Sequence, residues 1–299
     1  MSEPSIIETL DLGKSYGANP ALQGLNLQVS KGSIHALLGK NGAGKTTLIK
    51  ILLNMVSPDQ GSARVFGLQA NTPVDSLMIR RRLGFVSETK DLILDMSVGE
   101  MIQFTAAFYP AWDQSQAEHY RQRFDLPDDK KIKELSQGMR SKLSLLLVLC
   151  RRAELLILDE PTSGLDPAAA EEILQAIVSH VANENTTVLF SSHQITEVEQ
   201  IADHVTIIHQ GTKAASGEID SLKQSYCRVQ LVFSGEAPEI NMHTPGIKRI
   251  LRDGRTVTLI SSQGSEQILE EVSSLNPVST RVFPMSLKDI FFEEVGKHE

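Results

Sequence analysis

Cysteine is nearly missing from this chain: Cys150 and Cys227 are the only two in 299 residues. They sit far apart in apolar or strand-like surroundings and match no metal-ligand spacing, so a disulfide scaffold and a cysteine-built metal centre are excluded, and reduced thiols of a cytosolic protein are the simple reading. Long apolar runs are missing too. The most apolar helical stretch, residues 143–150, is far shorter than the roughly 20 residues that a membrane-spanning helix needs, and the opening Met1-Ser2-Glu3-Pro4-Ser5 lacks the charged-then-apolar pattern of a targeting signal. Positive charge is in deficit, with a net charge of -8 and an isoelectric point near 5.6, and no basic stripe offsets it. A nucleic-acid partner is not expected; the one basic cluster, Arg80-Arg81-Arg82, reads as a solvated face. Heptads, repeats and low-complexity tracts are absent as well.

Hydrophobic residues make up 41% of the chain, ample for a core, and the length suits one large or two smaller domains. Within it, Gly39-Lys40-Asn41-Gly42-Ala43-Gly44-Lys45-Thr46, extended by Thr47, fits the pattern G-x-x-x-x-G-K-[ST]. The run Ile34-His35-Ala36-Leu37-Leu38 before it suits a buried strand, and Leu48, Ile49, Ile51, Leu52, Leu53, Met55 and Val56 after it suit a helix. The glycines thus fall at a strand-to-helix turn. Backbone N–H groups can close around phosphate oxygens there, and the helix start adds roughly half a positive charge. Lys45 would reach the β- and γ-phosphates of a nucleoside triphosphate, and the Thr46 hydroxyl would ligate Mg²⁺.

A second motif, Leu155-Leu156-Ile157-Leu158-Asp159-Glu160, sets two carboxylates at the end of an apolar run. Such a run reads as a central parallel strand, and ligands gather at the carboxyl ends of these strands. Asp159 can hold Mg²⁺, while Glu160 can orient and polarise the water that attacks the γ-phosphate. His193 follows the apolar run Thr187-Val188-Leu189-Phe190 and should reach the same end of the sheet.

Between the two motifs lies Leu135-Ser136-Gln137-Gly138-Met139, and here the sequence resembles the ATP-binding cassette (ABC) ATPases. The resemblance spans residues 6–217. Pro161-Thr162-Ser163-Gly164-Leu165-Asp166 looks like the family's D-loop, which brings Asp166 to the nucleotide, and His193 matches its switch histidine. Tyr16 occupies the place of the aromatic residue that stacks on adenine, although a tyrosine before glycine is also an ordinary turn residue. Ser136 reads as a helix N-cap in its own right. In the family, however, the helix it starts completes the ATP site of the opposite subunit, so Ser136, Gln137 and Gly138 would act in trans. One cassette must then pair with another, either as a homodimer with two competent sites or with a different cassette. The family's glutamine after the strand at 83–86 is replaced by Glu88, which would lie near Mg²⁺ at the junction with a helical subdomain; Asp91, Leu92, Ile93, Leu94 and Met96 beside it offer a docking surface for a permease helix.

The resemblance implies an α/β fold: a P-loop NTPase core with a mostly parallel sheet, an antiparallel β layer, a helical subdomain at about residues 89–149, and a small C-terminal α+β appendage. The expected division is residues 1–216 for the ATPase domain and 217–299 for the accessory domain. Within the appendage, residues 227–233, 256–261 and 278–283 read as strands and 265–275 as a helix. Its ending, Met285-Ser286-Leu287-Lys288-Asp289-Ile290-Phe291, resembles the tails of ATPase subunits of bacterial ABC exporters, and also reads as a closing amphipathic helix docked through Leu287, Ile290 and Phe291. The leading expectation is an exporter ATPase at the inner face of the membrane, bound to a separate permease. The alternatives are an importer subunit, a soluble non-transport ABC ATPase and a cassette without turnover; intact Lys45, Glu160 and His193 speak against the last.

Overall fold

The computed structural model describes residues 5–240 and 244–296, so the opening Met1-Ser2-Glu3-Pro4 lies outside the described residues. Among these residues no helix is long and apolar enough to cross a membrane. The chain divides into two compact units between Ala215 and Ser216.

The first unit opens with β1 (Ser5–Tyr16) and β2 (Asn19–Ser30), whose alternation of buried and exposed residues marks a half-buried antiparallel ladder. β3 (Ile34–Leu38) is buried at every position and leads into α1 (Lys45–Leu52). β4 (Gln60–Val65) and β5 (Leu68–Gln69) complete a four-stranded sheet in the order β2-β1-β4-β5. Next come α2 (Pro73–Arg82) and β6 (Leu83–Val86). Three helices follow, each started by a side-chain cap: α3 (Val98–Ala106) on the reciprocal pair Ser97 and Glu100, α4 (Gln114–Arg123) on Asp113, and α5 (Gln137–Leu149) on Ser136. β7 (Leu155–Asp159), α6 (Pro167–Glu184), β8 (Thr187–Ser192), α7 (Ile195–Ile201), β9 (His204–His209) and β10 (Thr212–Glu218) finish the unit.

A six-stranded sheet runs in the order β10-β9-β3-β8-β7-β6, with β9, β3, β8, β7 and β6 mutually parallel. One core lies between the two sheets: Ile7, Leu25 and Leu27 of the antiparallel layer join Leu48 and Ile49 of α1 and Leu37, Ile157 and Leu189 of the parallel strands. Helix α5 packs against β6, α3, α4 and α6. Its Leu143, Leu145, Leu146 and Leu149 are buried, each contributing about 1.5–3 kcal/mol. Helices α3 and α4 begin only after Ser97 and Asp113 because these residues serve as caps rather than as first-turn residues. The basic cluster is only in part a solvated face. Arg80 and Arg81 are exposed, but the Arg82 guanidinium stacks 3.9 Å from the Phe66 ring centre and makes two hydrogen bonds to Glu154, at 2.6 and 2.9 Å.

The second unit holds α8 (Ile219–Ser225), β11 (Cys227–Val232), β12 (Ile247–Asp253), β13 (Thr256–Ser261), α9 (Glu266–Ser273), β14 (Ser279–Pro284) and α10 (Leu287–Val295). The strands form an antiparallel sheet in the order β12-β13-β11-β14. Its core joins Val229, Leu231, Val257 and Leu259 to Ile268 and Val272 of α9. Helix α10 starts on a capping box of Ser286 and Asp289 and buries Leu287, Ile290 and Phe291. Both cysteines are free and buried, and burial pushes the Cys150 thiol well above its ordinary range.

The parallel sheet also carries a histidine pair, His35 buried and His204 half-buried. His35 of β3 stacks on His204 of β9, with ring centres 6.0 Å apart and planes within 8°, and its Nε2 lies 2.8 Å from the Thr206 hydroxyl. Burial, reinforced by His204, lowers the His35 pKa to about 3 from the ordinary 6.5. The folded chain therefore keeps His35 neutral while the unfolded chain protonates it near pH 6.5. The stabilisation is complete above that pH and is lost as pH falls toward 3, at about 1.4 kcal/mol per pH unit. Urea unfolding at pH 7.0, 5.5 and 4.5 should show this decline, and His35→Gln should lose distinctly less over the same interval.

Candidate functional site

The parallel register brings the chemistry together. Leu38 pairs with Ser192, Asp159 with Ser191, and Val86 with Leu158, so β3, β8, β7 and β6 end side by side. Beyond these ends lies a cavity of about 370 Å³ lined by Asn41, Gly42, Ala43, Gly44, Lys45, Thr46, Thr47, Glu88, Glu160 and His193, together with Ala21 and Ser163. The loop that forms one wall depends on its glycines. Gly44 has φ +111°, and a Cβ there would come within 2.5 Å of the Ala21 carbonyl; at Gly39 one would meet the Ile208 carbonyl at 2.6 Å. Helix α1 starts at Lys45 with no side-chain cap, so its first N–H groups face the cavity without an intrahelical partner. That is the chemistry of an anion site.

Glu160 is held from several directions. Its Oε1 is 3.1 Å from Lys45 Nζ, and its Oε2 is 2.9 Å from His193 Nδ1, which in its protonated-nitrogen tautomer donates there. Lys45 and Glu160 are both buried, and the lysine also donates to the Gly39 carbonyl at 2.7 Å. The Glu160 N–H donates to Ser191 Oγ at 2.9 Å, while that hydroxyl donates to Asp159 Oδ1 at 2.6 Å. One serine thus fixes both carboxylate residues. Glu160 sits at φ +47°, a strained conformation of the kind that gathers at functional sites.

Other sequence candidates are arranged differently. Tyr16 stands exposed beside the β1–β2 turn and does not line the cavity, and Lys14 Nζ lies 5.8 Å from its ring centre. Gly39, Lys40 and Asp159 do not line the cavity: Gly39 and Asp159 are buried and Lys40 is exposed. Ser136 accepts from the Met139 N–H, Gln137 donates to the Ser163 carbonyl at 3.2 Å, and Asp166 caps α6 by accepting from the Ala169 N–H. Gly138 is in an ordinary helical conformation, and a Cβ there would meet nothing nearer than Ala169 Cβ at 3.5 Å. Packing within the chain does not call for glycine at that place.

Sequence reasoning missed Ser191, Ala21, Ser163 and Lys90. Ser191 left a trace as a polar residue closing an apolar strand run, and Ser163 lay within the run that resembles the D-loop without being singled out; Ala21 and Lys90 left none. Lys90 Nζ donates to the Glu160 carbonyl at 2.9 Å, and burial lowers its pKa against the opposing pull of Glu88, Asp159 and Glu160. A second cavity, a groove of about 430 Å³, opens between the end of β6 and helices α3 and α5, lined by Met55, Phe85, Leu92, Met101 and Tyr109 with Lys90 and Arg151. Ile93 and Leu94 lie exposed next to Leu92.

A hard divalent cation fits the first cavity. Thr46 and Glu88 line it with oxygen donors, the Asp159 carboxylate stands next in the chain to Glu160 of the lining, and among the described residues no cluster of three or more His, Cys, Asp or Glu forms an all-protein cage. Mg²⁺ suits that combination, since it binds through one or two carboxylates and the phosphates of its substrate.

Comparison with known proteins adds the following. A family model described as ABC transporter matches residues 22–163. The chain is 31% identical to the bacitracin transport ATP-binding protein BcrA of Bacillus licheniformis, over 98% of each chain. It is 30% identical to Nod factor export ATP-binding protein I of Rhizobium meliloti (strain 1021), over 99% of this chain and 90% of that one. A solved structure of the ATP-binding subunit of an ABC transporter matches with a TM-score of 0.65 and 27% identity, over 73% of this chain and 92% of the other.

Proposed function

This chain belongs to the ABC transporter family of ATP-binding proteins, which makes it an ATPase, and on that premise we propose that it is the ATP-hydrolysing subunit of an exporter whose permease is a separate polypeptide. The observation that carries the chemistry is Glu160 held between Lys45 and His193 at the mouth of the phosphate loop. Residues 41–47 cradle the triphosphate through their N–H groups, and Lys45 supplies the cation for its β- and γ-oxygens. Glu160 orients and polarises the attacking water, and His193 steadies Glu160. Thr46 and Asp159, with Glu88, would hold Mg²⁺, which would supply positive charge against the phosphates.

The site is completed in trans. Ser136, Gln137 and Gly138 at the start of α5 face the nucleotide of a partner cassette, and the room around Gly138 supports this: glycine there serves an approaching ligand rather than the chain's own packing. Asp166 belongs to the same face, and Tyr16 closes on the adenine. Closure of two such cassettes, most simply two copies of this chain, drives the permease. Relatives named for bacitracin transport and Nod factor export favour the export direction. The acidic net charge fits no nucleic-acid role, and the chain works on the cytoplasmic face of the membrane through its permease.

The groove beside β6 is the dock for a permease helix. Its apolar lining rimmed by Lys90, Asp91 and Arg151 suits an amphipathic segment. Residues 1–215 and 216–299 are then the ATPase domain and an accessory domain. The test is reconstitution with the membrane protein that co-purifies with the chain. Leu92→Asp should weaken that binding about tenfold or more, by setting a charge in an apolar contact. Glu88→Ala should reduce permease-stimulated ATP turnover more than basal turnover. Normal binding by Leu92→Asp together with full stimulation of Glu88→Ala would remove the dock from this groove.

A further inference from the structure

The segment from Ser87 to Asp91 leaves β6 and passes between the two cavities. Glu88 lines the phosphate cavity, and Lys90, two residues on, lines the groove. The backbone of Lys90 is left-handed, with φ +50°, a conformation that a lysine adopts only when its surroundings impose it. There Nζ donates to the main-chain carbonyl of Glu160 at 2.9 Å. That carbonyl also accepts from the Ser163 N–H at 3.2 Å, and on the other side of the residue the Glu160 N–H is taken by Ser191 Oγ at 2.9 Å. Glu160 is itself left-handed, at φ +47°. Its peptide groups are therefore gripped on both sides, and the direction of its carboxylate follows from that grip.

We infer that Lys90 is a positioning residue for hydrolysis: its ammonium pins the Glu160 carbonyl and so aims the Glu160 carboxylate at the attacking water. This rests on the reading of Glu160 as the residue that polarises that water. Lys90 touches neither the phosphate loop nor Thr46, so its loss should spare nucleotide binding. Misaiming a reactive group by a fraction of an ångström to an ångström lowers turnover by up to about a hundredfold.

The experiment uses the full chain. Lys90→Met keeps the stem and the backbone preference but removes the donor, whereas Lys90→Arg keeps a donor. Lys90→Met should lower kcat about ten- to a hundredfold while KM for ATP and the Kd of a fluorescent ATP analogue stay within about twofold, and Lys90→Arg should restore most of kcat. In a Glu160→Gln background Lys90→Met should cost nothing further, because it acts through a side chain already disabled. Where Lys90→Met fails to fold, Lys90→Gly, which suits φ +50°, replaces it. Unchanged kcat, an arginine variant as poor as the methionine one, or a full additional loss in the Glu160→Gln background would each overturn the assignment. If Glu160→Gln alone hydrolyses ATP normally, the reading of Glu160 fails and the role of Lys90 fails with it; an inactive Glu160→Gln beside a fully active Lys90→Met removes Lys90 alone.

Discussion

Replacing Glu160 by glutamine is expected to lower ATP hydrolysis by about 10²- to 10⁴-fold, the range for removing a positioned base, while ATP still binds. The geometry explains why binding survives. Residues 41–47 and Lys45 are untouched by the change, and a glutamine side chain can still accept from Lys45 through its one remaining oxygen. What is lost is the negative charge that draws a proton from water. Lys45→Ala gives the contrasting pattern: the cation for the phosphates disappears, and removing one member of a buried ion pair typically costs 3–5 kcal/mol. Phosphate release measured beside binding of a fluorescent ATP analogue separates the two. Wild-type turnover in Glu160→Gln would end the assignment of this carboxylate as the base.

The second large effect concerns assembly. Glu160→Gln with ATP should accumulate as a dimer on size exclusion, because closure is no longer relieved by hydrolysis. Adding Gly138→Asp should abolish that dimer. A carboxylate about 4 Å from a phosphate charge costs about 4 kcal/mol at an effective dielectric of 20, close to a thousandfold in affinity for each unit of phosphate charge. The monomer should fold as before, since a Cβ at Gly138 meets nothing within 3.5 Å. Thermal unfolding of the variant should therefore match the wild type. A dimer that persists with Gly138→Asp would show that α5 does not face the partner's nucleotide. Failure of Glu160→Gln itself to dimerise at high concentration would favour a different cassette as partner.

The parallel core was legible because each functional residue closes an apolar strand run. Asp159 ends β7, and Lys45, Glu160 and His193 come after β3, β7 and β8, whose residues are buried throughout; continuous apolar runs are the pattern of such strands. The antiparallel layer was legible through the short β-like runs and glycine punctuation of residues 6–33. Helix α2 was not: its charged and apolar residues are mixed around the axis, leaving Val74, Leu77 and Met78 exposed. Strand β12 was hidden for a similar reason, since Lys248, Arg249 and Arg252 interrupt an edge strand that is mostly exposed. In the site, Ser191 and Lys90 act through contacts with residues 31 and 70 positions away. No local pattern announces a lysine that reaches across a fold to a carbonyl. Ala21 escapes notice because its part is played by its main chain, against Gly44.

The buried pairing of Lys45 with Glu160 carries a consequence of timing. Each side chain answers the other's charge at 3.1 Å, so a phosphate that claims the ammonium takes it from the carboxylate. With Glu160 as the proposed base, substrate arrival and the freeing of that base are then a single event, an interlock in which the arriving phosphate unmasks the carboxylate.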